Sequence, residues 1–155
     1  MGKINLKLGE LLQFENELNG FTNPENGKVI YKGFLKQNIN AMLKYEFMDT
    51  SETLLKEKKK IEKVKDDLIL KYGDKTEDGG FFISMFLETK DEQGNVTSKV
   101  INPKYVDFER EYGTFLGDNE KEIEYPDFTK EDLKDIGNTT DDYRIIFKLL
   151  KKGTN

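Results

Sequence analysis

The sequence predicts an α+β fold dominated by helix, and three patterns predict it. Apolar residues recur at helical spacing through the first half of the chain, from Ile30 to Tyr72. Short alternating runs, INLKL and EIEY, read as strands with one buried face. The apolar stretch FFISMFLE is joined by DEQGN to the alternating VTSKVI, which reads as a β-hairpin. With 155 residues, no internal repeat and no linker composition, the chain reads as a single domain over 1–155.

Taken in order, Ile4, Leu6 and Leu8 alternate with Asn5 and Lys7, as in a strand. Leu11, Leu12, Phe14 and Leu18 follow a helical spacing that stops at Asn19-Gly20. FTNPENG, 21–27, reads as a loop. A long helical segment is expected over 28–72, with Ile30, Phe34, Leu35, Ile39, Met42, Leu43 and Phe47 inward, then Leu54, Ile61, Val64, Leu68 and Tyr72. As one helix it would span roughly 65 Å. Asp49-Thr50-Ser51 offers a break, with Thr50 or Ser51 capping a second helix and making a helical hairpin. The absence of Gly and Pro there favours continuity. KEKKKIEKVKDD, 56–67, carries a narrow apolar stripe among mixed charges, the grammar of a coiled-coil seam and a candidate homo-oligomer contact.

After Tyr72-Gly73 and the turn DKTEDGG, the β-hairpin is expected over 80–101. Asn102-Pro103 starts a helix as N-cap and first-turn proline. Tyr105, Phe108, Tyr112, Phe115 and Leu116 form its apolar face, and Gly117 closes it. EIEY, 122–125, is a strand that Pro126 stops, a candidate partner for the N-terminal strand. Thr129 begins a short helix with Glu131 and Asp132 at its positive end. The last segment expects Thr140 as cap, Tyr143, Ile146, Phe147 and Leu150 inward, and Gly153 as terminator.

Composition removes several function classes. Asp and Glu number 30 against 25 Lys and Arg, a net charge of −5, which disfavours broad nucleic-acid binding. There is no histidine and no cysteine, so Ser–His and Cys–His nucleophile pairs and most zinc sites are impossible. The absence of cysteine fits a reducing cytosol. MGKINLKLGELL lacks the apolar core of a signal peptide, and no run reaches a membrane span. Asp107, Glu109 and Glu111 alternate with core positions and read as a solvated helix face rather than a catalytic pair. Asp91, Glu92 and Asn95 around Gly94 lack the calcium-loop spacing. No cofactor and no metal ligand set is expected.

One motif carries a ligand reading. Lys28, Lys32 and Lys36 are four apart with Tyr31 beside them, so on a helix they stack on one face. Three ammoniums and a phenol would seat a phosphate-containing small molecule at the helix start, with Asn38 and Lys44 adjoining. The alternative is a solvated face whose lysine stems cover apolar neighbours.

The order of pieces resembles a loosely defined group of small tailed-phage proteins, including those known as domain of unknown function 1617. The residues that carry the resemblance are INLKLGELL, then Lys28-Val29-Ile30-Tyr31-Lys32 at a helix start, and the stop from Lys71 to Asp74. An acidic D-x-x-G turn, PKYVDFEREYGTFLG, EIEY, and Asp132-Leu133 to Ile136 complete it. FFISMFLE is a richer hairpin than that pattern has. The resemblance implies phage origin and action in the host cytoplasm, and supplies no activity. In that setting the leading expectation is a non-enzymatic anti-defence protein, a sponge that sequesters a nucleotide-type immune signal. The alternatives are a virion or tail assembly accessory or chaperone that uses the long helix as a protein-binding seam, and an inhibitor of a host enzyme. A free apolar groove favours the chaperone. A seam buried in a closed homo-oligomer favours the sponge.

Overall fold

In a computed structural model, residues 1–137 and 142–150 are described, without the side chain of Tyr31. The expected cap Thr140 and terminator Gly153 lie outside the described residues. The fold is α+β and helix-dominated. Its elements gather into two compact units, residues 1–59 with 119–155, and residues 60–118.

In the first unit, β1 (Gly2–Lys7) leads directly into helix α1 (Leu8–Asn19). Glu10 accepts the Lys7 N–H at 3.1 Å, satisfying a free donor at the helix start. Gly20, at φ 90°, ends the helix where a side chain would be strained. The chain then makes a hairpin that the sequence hides: β2 (Gly20–Thr22) pairs antiparallel with β3 (Val29–Lys32). The segment expected as loop 21–27 therefore begins as strand, and the helix expected from 28 does not form there. Val29-Ile30-Tyr31 is β-favouring and finds a partner strand in Gly20-Phe21-Thr22, which outweighs helical spacing. A Cβ on Gly33 would lie 2.3 Å from the Asn19 carbonyl carbon, so only glycine lets this strand end pack on α1.

A 3-10 turn (Phe34–Lys36) follows, and the long helix α2 (Ala41–Tyr72) starts late, capped by Asn40, whose Oδ1 accepts the Met42 N–H at 2.8 Å. It runs unbroken past 49–51. Thr50 and Ser51 are buried interior residues rather than caps: the Thr50 hydroxyl donates to the Glu124 carbonyl at 2.9 Å, and Ser51 exchanges hydrogen bonds with the Asn19 amide.

β8 (Glu120–Tyr125) closes on β1 with Ile4 opposite Ile123 and Leu6 opposite Lys121, the pairing the sequence left open. Phe34 sits at the core's centre, 5.3 Å from Phe47 and 5.8 Å from Tyr143 in edge-to-face contacts, with Phe128 5.4 Å from Phe47. A 3-10 turn (Lys130–Leu133) carries the expected Thr129 cap, reciprocated by Asp132. The short α4 (Arg144–Lys148) buries Tyr143 and Ile146 as expected, together with Ile145 and Leu149, while Phe147 and Leu150 are half-buried.

In the second unit, the end of α2 carries Ile61 and Leu68 into the interior, so these seam residues are covered within the chain. β4 (Asp74–Lys75) pairs with β5 (Phe81–Phe82), and β6 (Phe86–Lys90) pairs with β7 (Val96–Ile101). The hairpin expected over 80–101 is thus shorter, and Phe81-Phe82 belongs to a second one whose turn is TEDGG, 76–80, closed by the Thr76 N–H donating to the Gly80 carbonyl at 2.8 Å. α3 (Pro103–Asp118) starts at the Asn102 cap, whose Oδ1 accepts the Lys104 N–H at 3.1 Å. It runs through Gly117 rather than stopping there. Lys65 lies 5.8 Å from the Tyr112 ring, and Tyr72 and Lys71 both bind Glu111.

A candidate protein-docking face

The expected anion seat depends on helical stacking of Lys28, Lys32 and Lys36, and that stacking is absent. Lys28 precedes β3, Lys32 ends it and Lys36 closes the 3-10 turn. Along an extended chain four residues cover about 13 Å, against about 6 Å on a helix, so the backbone spacing that the helical seat needs is not formed. All three lysines are exposed. Tyr31 pairs through its backbone with Phe21. Asn38 lines a depression of about 320 Å³ with Asn40, Glu131, Asp132, Lys134 and Asp135, where three carboxylates oppose a phosphate. Lys44 is half-buried in the first turns of α2.

The acids Asp107, Glu109 and Glu111 make contacts within the fold, Glu109 with the Tyr105 hydroxyl. Asp107 pairs with Arg110 at 3.3 Å. Glu111 is held below the usual carboxylate range by the Tyr72 hydroxyl and then by Lys71, as a structural acceptor. Among the described residues no group of three or more potential ligands could hold a metal ion.

What the first unit does present is a second apolar stripe on α2. Leu43, Phe47 and Leu54 are buried. Met48 and Leu55 follow Phe47 and Leu54 by one residue, a rotation of about 100°, and stand in solvent with Met42 and Tyr45. Met42 is 63% exposed, Tyr45 68%, Met48 52% and Leu55 39%. Met42, expected inward from its spacing, faces out because Leu43 beside it takes the core position. Asp49 lies four residues after Tyr45 and Glu52 four after Met48, so both acids share this side of the helix. Neither forms an ion pair among the described residues, while Lys56 and Lys59 mark the far end. The other side of the helix is firmly held: Lys58 pairs with the buried Glu15 at 3.1 Å, and Glu57 with Lys121 at 3.5 Å.

This face offers large, adaptable side chains with a negative rim. Methionine conforms to irregular partners, and tyrosine gives wide contact at low entropic cost. The sequence signal was present as two apolar series one residue out of phase on the same helix. A single-stripe reading merges them. No family model, curated protein or solved structure matches the chain. No helix among the described residues is long and apolar enough to cross a membrane.

Proposed function

We propose that this chain is a non-enzymatic protein-binding factor of the phage assembly-accessory or chaperone class, acting in the bacterial host cytoplasm. It docks an amphipathic partner segment, with apolar anchors and flanking lysines or arginines, on the outer face of α2. The observation that carries this reading is the exposed stripe Met42, Tyr45, Met48 and Leu55 alongside unpaired Asp49 and Glu52. The resemblance to small tailed-phage proteins supports the setting. The nucleotide-sponge reading loses its motivating geometry, since its lysines lie on an extended strand and a turn.

The test uses two surface substitutions, Met48→Glu and Leu55→Glu, in the full chain. Both sites are exposed, so the melting temperature should stay within about 2 °C of the parent. Partner co-purification from cells carrying the gene in its native context should fall at least tenfold. Retained capture by the doubly substituted chain would overturn the assignment. In parallel, cyclic and ADP-ribose-type nucleotides should leave the melting temperature unchanged. A clear rise with one of them would restore the sponge, because a ligand that binds only the folded state must stabilise it.

A further inference from the structure

The charges on the outer face of α2 come in a fixed order. Within the first unit Asp49 and Glu52 come first, Lys56 and Lys59 follow, and Leu55 lies between the two pairs. At 100° per residue, Met48, Asp49, Glu52, Leu55, Lys56 and Lys59 fall within an arc of about 120°, so one neighbouring helix can reach all six. All six are exposed. None of the four charged side chains forms an ion pair among the described residues, although Glu52 and Lys56 stand four apart. A helix face with acids in one half and lysines in the other is complementary to itself when run antiparallel. A segment with apolar anchors and flanking lysines is what this face takes, and α2 itself is such a segment.

We infer that two copies of this chain pair through the outer faces of their α2 helices, antiparallel, with Glu52 opposite Lys56 and Asp49 opposite Lys59 of the second copy. The two-fold axis that makes both pairings at once passes level with residue 54. Leu55 stands beside that axis and meets its own copy across it. Met48 lands against the second copy's Lys59, whose methylene stem covers apolar surface while its ammonium stays in water. A parallel pair would set each acid beside its own copy and each lysine beside its own, like charge against like, so the charge order selects the direction. The apolar anchors are few and the ion pairs are open to salt, so the pair is weak and exchangeable. A second copy thus covers the stripe until a partner segment with better anchors displaces it. Its role as a cover rests on the docking reading of this face, whereas the pairing itself does not.

Sedimentation equilibrium of the full chain at low salt and tens of micromolar should give twice 18.0 kDa. Glu52→Lys sets lysine against lysine at both symmetry-related positions, and should weaken the pairing at least tenfold. Lys56→Glu sets acid against acid and should do the same. Both substitutions in one chain put opposite charges back in register only if the helices run antiparallel, so the double variant should be a dimer again. All these sites are exposed, so circular dichroism spectra should be unchanged and melting temperatures within about 2 °C of the parent. A monomeric unsubstituted chain, a Glu52→Lys chain that pairs equally well, or a double variant that stays monomeric would overturn the pairing. Partner capture separates the two claims. A monomeric chain that captures a cellular partner would sink the pairing and leave the docking face standing. A chain that pairs as stated, while its Met48→Glu, Leu55→Glu form still captures that partner, would sink the docking face and leave the pairing.

Discussion

Glu17 is the residue whose chemistry the sequence conceals most fully. It is completely buried, and its Oε1 accepts the backbone N–H groups of Ile145 at 2.8 Å and Ile146 at 3.1 Å, while Oε2 has no partner. Burial raises its pKa despite those two bonds, which favour the charged form. The folded state therefore holds this proton to higher pH than the unfolded chain does. Glu17's contribution is greatest below the ordinary glutamate value of about 4.3 and declines as pH rises through the raised folded value. Glu17→Gln should remove that decline. Melting curves of the two proteins should diverge upward in pH, with the Gln variant equal or more stable at pH 7. A Gln variant several degrees less stable at pH 7 would show that the ionised carboxylate is what holds the end of α4. Gly33→Ala makes a second residue-scale prediction. The added methyl group would meet the α1 terminus at 2.3 to 2.6 Å, so the hairpin β2–β3 must shift. Loss of at least about 2 kcal/mol in denaturant unfolding is expected. A near-neutral effect would mean that this packing is looser than described.

At the scale of elements, the contest between helix and strand over 28–40 decides where α2 begins. Helical spacing of Ile30, Phe34 and Leu35 favours helix, but β-branched residues beside a short partner strand favour pairing, and Gly33 and Asn40 then reset the chain. Asn40→Ala should remove the cap and cost about 1 kcal/mol, read from denaturant unfolding. An unchanged midpoint would place the helix start elsewhere. The continuous 41–72 helix, the Asn102-Pro103 start of α3 and the β1–β8 strands were legible because each rests on local chemistry: uninterrupted spacing, a cap with a proline, clean alternation. The two extra hairpins were not, since strands of two to four residues carry too few positions to show a period. Thr50 and Ser51 misled for a related reason. Their polar atoms are satisfied by residues distant in sequence, Glu124 and Asn19, which no local pattern reports.

For the whole molecule, the proposed function rests on which apolar side chains the fold leaves uncovered. Phe47, Leu54, Ile61 and Leu68, each seven apart, are buried within the chain, so these positions of the long helix serve its own core. The candidate site was therefore legible in its helix and illegible in its face. Met42, Tyr45, Met48 and Leu55 became distinguishable from core only once the buried stripe had been placed one residue away. The central claim is that this outer face binds a protein. The most direct measurement places a photo-crosslinking amino acid at Tyr45, and in a parallel chain at the exposed Lys130, in cells carrying the gene in its native context. A discrete protein adduct from position 45, absent from position 130 and abolished by Leu55→Glu, is the predicted result. Equal or absent adducts at the two positions would contradict it.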